Sequence, residues 1–174
     1  LINNTNDTDY SRYIFFYVNY LVENGRGNEA NIITDELNYL NSSLLISQTK
    51  YWVESLKLKE FEKIFSCKNP NDIVSELFFL VANLYSSESD YERSNFYLNI
   101  SNYLNPKFFF NLSLLAENYY LNENYSKTLK TLNSFDKKDK FYYWFKLKKE
   151  AQIISKKQNL DIALDFFKFK IQRY

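Results

Sequence analysis

Surface chemistry needs a poised acid, base, nucleophile or metal ligand, and this chain is poor in all of them. It has no histidine among 174 residues and one cysteine, Cys67, so no imidazole is available to deprotonate that thiol. Cys67 reads as structural; a single cysteine excludes an internal disulfide and does not decide the compartment. Carboxylate pairs are what remain. Asp161 and Asp165 share a helical face, whereas Glu60 and Glu62 point apart on a helix. Both pairs read as solvated surface, as does the mixed run Lys57, Lys59, Glu60, Glu62 and Lys63. With no glycine-rich phosphate loop and no metal-ligand spacing, the expectation is a protein with no catalysis, cofactor or metal.

The formal net charge of +1 supplies no large field to gather nucleic acid or anionic lipid. The longest apolar run, Tyr13 to Val22, is too short to span a bilayer and is interrupted by Asn19. Phe, Tyr, Asn, Lys and Ile are plentiful while Ala, Gly, Pro and Arg are scarce, the usage of AT-rich codons. The asparagine excess therefore reads as genome bias, and the Asn-x-Ser/Thr triplets at Asn3, Asn6, Asn41, Asn99, Asn111 and Asn124 as chance. No secretory signal is visible, and with Leu1 first and no methionine, the expectation is a processed chain or a piece of a longer one.

What must position any functional residue is a repeat. Phe78, Leu112 and Leu147 recur at a spacing of 34 to 35 residues, as do Ala82, Ala116 and Ala151, and Tyr85, Tyr119 and Ile154. The three series lie on one helical face. After a short polar stretch come Tyr91, Tyr125 and Leu160, then Ser94, Thr128 and Ala163, then Leu98, Leu132 and Phe167, again at helical spacing. A hairpin of two amphipathic helices cannot bury its apolar faces alone, so the pattern implies units stacked on one another. The small slot permits close backbone approach, and the large slots beside it fill the gaps.

On these residues the chain resembles the tetratricopeptide repeat family. The unit from 75 to 108 carries the pattern as Phe78, Val81, Ala82, Tyr85, Ser94, Leu98 and Pro106; that from 109 to 143 as Leu112, Leu115, Ala116, Tyr119, Thr128 and Leu132, with Lys140 in place of the proline. The unit from 144 to 174 reads Leu147, Ala151, Ile154, Ala163 and Phe167, with Glu150 where the family has leucine. Upstream, 11–44 offers Ile14, Tyr17, Val18 and Leu21, a turn at Gly25 and then Ala30. Residues 45–74 keep Phe61 and Ile64 but place Gln48 and Trp52 in apolar and small slots. The resemblance implies an all-α fold, an α-α superhelix of about five hairpins forming one repeat domain over 1–174, itself part of a longer array.

Helix punctuation agrees. Asn69, Pro70, Asn71 and Asp72 announce one helix, and Ser89 to Glu92 form a capping box opening another. Asn105 and Pro106 place a capping side chain before a proline in a first helical turn. About ten helices and no sheet are expected.

In the tetratricopeptide family the first helix of each hairpin lines a concave groove. By that resemblance the binding residues are Phe15, Asn19 and Val22; Phe79, Asn83 and Ser86; Phe110, Ser113, Glu117 and Tyr120; and Phe145, Lys148 and Gln152. Aromatic anchors with polar neighbours suit an extended peptide or a partner helix. The alternative is that Phe79 or Phe110 packs beneath the next helix. The family's clamp for carboxylate tails is not expected, because Phe15 and Phe79 stand in its lysine slot although Asn19 and Asn83 match its asparagine.

The expected function is thus a non-catalytic scaffold binding a protein or peptide, with an architectural segment of a larger assembly as the alternative. A third reading, an RNA-binding helical repeat, needs a basic groove that this chain lacks. At the C-terminal edge Ile162, Ala163, Leu164, Phe166, Phe167, Phe169 and Ile171 occupy more than one stripe. That edge is expected to be covered by further repeats or by a second copy.

Overall fold

The structure is a computed structural model that describes residues 10–37 and 43–173; the triplets at Asn3, Asn6 and Asn41 lie outside them. Every regular element among the described residues is a helix, ten in all with no strand, and helices adjacent in sequence pack in pairs. The fold is therefore all-α, built from helical hairpins. The chain divides into two compact units, Leu1–Ile64 and Phe65–Tyr174.

The first unit holds α1 (Ser11–Glu23), α2 (Gly27–Asp35), α3 (Leu44–Glu54) and α4 (Lys59–Ile64). Helix α1 packs on α2, α3 and α4. Its buried face is Phe15, Val18, Asn19 and Leu21, while Tyr17, assigned to packing by the repeat pattern, is exposed. The centre of this unit is aromatic: Phe61 lies 5.8 Å from Phe15 and meets Trp52 edge-on at 5.2 Å. Gln48 and Trp52 are buried, so the slots they occupy are core.

The second unit stacks three hairpins. They are α5 (Pro70–Ser87) with α6 (Tyr91–Leu104), α7 (Phe109–Leu121) with α8 (Tyr125–Leu132), and α9 (Lys140–Lys157) with α10 (Leu160–Gln172). Helix α7 packs on α6, α8 and α9, which makes it the centre of the stack. Ala82, Ala116, Ser94, Thr128, Leu98, Leu132 and Leu147 are fully buried, as the repeat requires of packing slots, whereas Leu160 in the last hairpin is exposed. A second aromatic core sits where the second of these hairpins meets the third: Phe135 stacks on Tyr142 at 5.5 Å, and Phe109 stands edge-on to both at 5.7 Å.

Short polar caps start most helices. Asn69 accepts from Asn71 N at 3.1 Å with Pro70 following, Asn124 from Lys127 N at 3.1 Å, and Asn159 from Ile162 N at 2.9 Å. Two expected caps differ. The N-cap of α6 is Asp90, accepting from Arg93 N at 3.2 Å, because Ser89 is in a left-handed conformation that ends the preceding turn. Asn105 accepts from Lys107 N at 3.2 Å, which closes a turn around Pro106, and α7 begins only at Phe109.

Candidate functional site

Of the residues expected to line a groove, the structure buries four. Phe15 and Asn19 belong to the core of the first unit, and Phe79 is buried with its ring 5.9 Å from Phe110. Each lies on the inward stripe of its helix, so none is available to a partner. Ser113 is also buried, its hydroxyl donating back to Phe110 O at 2.7 Å, and Val22 is half-buried. Asn83 and Lys148 are exposed, and Phe110, Glu117, Tyr120, Phe145 and Gln152 are half-buried.

Five of the survivors in the second unit fall on two stripes, with Asn83 apart on α5 and Tyr120 off the α7 stripe. Along α7 the outward stripe runs Phe110, Leu114, Glu117 and Leu121; along α9 it runs Phe141, Phe145, Lys148 and Gln152, both at helical spacing. Two packed helices therefore present aromatic and aliphatic side chains beside an exposed cation. The Oε1 atom of Gln152 is buried and accepts no hydrogen bond from the protein.

Between α7 and α9 lies an ion pair absent from the expected site. The Lys149 side chain is only 8% exposed, and its ammonium is 2.8 Å from Glu117 Oε1 and 2.6 Å from Oε2. The same ammonium sits 4.3 Å from the centre of the Tyr120 ring, close enough for a cation–π contact. Burial raises the pKa of the Tyr120 phenol, with Tyr125 and the Glu117 carboxylate adding to the effect. Tyr120 thus remains a protonated donor at neutral pH. Its ring is 5.9 Å from Tyr125, over which Lys157 lies at 5.3 Å. Lys149 takes the slot that Leu80 and Leu114 hold in the two preceding hairpins, and a lysine in a leucine series is the signal that marks it.

The rotation of α7 that aims Glu117 and Tyr120 at this place is fixed by two buried polar clusters. Asn118 accepts from Ser86 Oγ at 2.7 Å and donates to Ser94 Oγ at 2.7 Å and to Asn95 Oδ1 at 3.1 Å. About two turns earlier on α7, Asn111 donates to Ser101 Oγ at 2.8 Å, while the hydroxyl of Ser75 donates to Ser101 O at 2.8 Å. A helix whose buried amides are satisfied in only one orientation cannot roll without losing those bonds. Asn111 is fully buried, so its triplet is closed to glycosylation.

Among the described residues no group of three or more His, Cys, Asp and Glu is placed to hold a metal, and no helix is long and apolar enough to cross a membrane. Comparison with protein-family models, with curated proteins and with solved structures finds no match to this chain.

Proposed function

We propose that the second unit is a non-catalytic recognition module, a tetratricopeptide-like hairpin stack that binds an extended peptide or a partner helix along α7 and α9. The observation that carries the reading is the pairing of half-buried rings, Phe110 and Phe145, with the exposed cation of Lys148 on neighbouring helices that the Glu117–Lys149 pair holds together. Anchoring rings supply apolar area at low entropic cost, and an exposed cation attracts an acidic group of the ligand. The preferred ligand on this reading joins an apolar side chain to a carboxylate a few residues away.

The test is selection from a displayed library of random peptides against the full chain, repeated with Phe145→Ala and Lys148→Glu. Enrichment of acidic, apolar-anchored sequences by the native chain and their loss with either variant, at unchanged helix content, is expected. Failure to enrich any sequence, or enrichment indifferent to both changes, would reject the site.

A further inference from the structure

Helix α10 touches its own unit along a narrow line. Ala163 is buried and Phe167 meets Trp144 edge-on at 5.9 Å. Beside that line Leu160, Leu164 and Ile171 are 62%, 45% and 42% exposed. With Phe167 between them they fall at spacings of four, three and four residues, within an arc of about 60° on a helix of 3.6 residues per turn. This is the alternation of a two-helix seam: Trp144 covers Phe167 from one side, while Leu160, Leu164 and Ile171 stand exposed among the described residues.

The charges flanking the seam identify what would. Asp161 follows the first seam residue and Lys168 follows the third, so both stand on the same side of the seam, and both are exposed. When two identical helices run antiparallel about a two-fold axis, Leu160 of one faces Ile171 of the other and Leu164 faces Phe167. The same operation brings Asp161 of each copy beside Lys168 of the other, giving two opposite-charge pairs from one sequence. A parallel pair sets Lys168 beside Ala163 and forms neither. The stripe is therefore complementary to itself in one orientation.

We propose that a second copy of this chain covers α10, helix against antiparallel helix. The dimer is independent of the peptide-binding face on α7 and α9, and either can fail without the other.

Sedimentation equilibrium of the full chain tests it, with circular dichroism confirming that each variant keeps its helix content. The native chain should show a monomer–dimer equilibrium that stops at two copies, and Leu164→Glu should abolish it. Asp161→Lys alone and Lys168→Asp alone should each weaken self-association by roughly tenfold, since each places like charges together twice. An equimolar mixture of those two variants restores both opposite-charge pairs and should dimerise as tightly as the native chain. A native chain that stays monomeric, an assembly that grows past two copies, or a mixture no tighter than its components would overturn the proposal.

Discussion

Lys149 on α9 reaches back across 32 residues of chain to hold both carboxylate oxygens of Glu117 on α7, with the face of Tyr120 closing the ammonium from one side. The two partners are unequally buried: the Lys149 side chain is 8% exposed and that of Glu117 32%. Removing the carboxylate leaves a charge that water reaches poorly, whereas removing the ammonium leaves one that can hydrate. Glu117→Gln should therefore destabilise the second unit by about 2 kcal/mol. Lys149→Met, which keeps the apolar stem, should cost about 1 kcal/mol or less. Urea titrations of both variants measure this, and a larger loss for Lys149→Met would show that Glu117, not Lys149, is the partner water reaches poorly.

Four of the turns between successive helices close with one device. Gly25, Leu56, Ser89 and Glu123 are left-handed, with φ of 72°, 54°, 62° and 55°. In each, the following N–H bonds five residues back: Arg26 to Leu21, Lys57 to Trp52, Asp90 to Tyr85 and Asn124 to Tyr119, all at 2.8 to 2.9 Å. Only the first has the residue that adopts this conformation freely. Leu56→Gly, Ser89→Gly and Glu123→Gly should each stabilise by about 0.5–1 kcal/mol, because the side chains lost are exposed. Lys130→Gly within α8 should instead cost about 1 kcal/mol. Thermal unfolding of the four variants distinguishes them, and loss of stability in all would mean the turns are not left-handed.

Those turns also show where sequence reading stops. Alanine, leucine and aromatic slots recurring every 34 to 35 residues made the hairpins of the second unit legible, because packing at a small slot tolerates few residue types. The turns between them carried no signal, since leucine, serine and glutamate sit where glycine announces the conformation. In α1 the buried face could not be told from its neighbour: Phe15 and Asn19 alternate with Ile14 and Tyr17, and composition alone does not say which pair faces inward. The groove inherited that ambiguity. Phe79 was legible as an aromatic, but its burial depends on Phe110 one hairpin later, a contact that only three-dimensional stacking creates. Lys149 escaped notice because charge normally marks surface, and its burial rests on a partner in another repeat.

The small slot is the most stringent test of register. Ala116 is fully buried on α7, while Asn122 is exposed just after that helix. Ala116→Leu should destabilise by about 1–3 kcal/mol through overpacking, and Asn122→Leu should stay within about 0.5 kcal/mol of the native chain. Equal melting temperatures would remove the close approach of α7 to its neighbours.

Two carboxyls of the second unit should contribute a pH dependence opposite in sign to that of a carboxylate held in an ion pair. Asp139 caps α9, accepting from Tyr142 N at 3.4 Å, and burial raises its pKa above the usual aspartate value, opposed by the backbone N–H groups of Tyr142 and Phe141. Burial likewise raises Glu150, which stands in a leucine slot, against the pull of Lys146 and Lys170. A carboxyl whose pKa is higher folded than unfolded binds more protons in the folded state between those two values. Stability therefore falls as pH rises through that window and stays lower above it. Asp139→Asn keeps an acceptor for Tyr142, and Glu150→Gln keeps the shape of the side chain; neither carries the buried charge. Each should melt above the native chain at pH 7 and converge towards it at pH 3, where the substituted carboxyl is largely protonated. Melting curves across that range decide the matter: a variant less stable than the native chain at pH 7, or an advantage undiminished at pH 3, would show that these carboxylates are not held against their hydration.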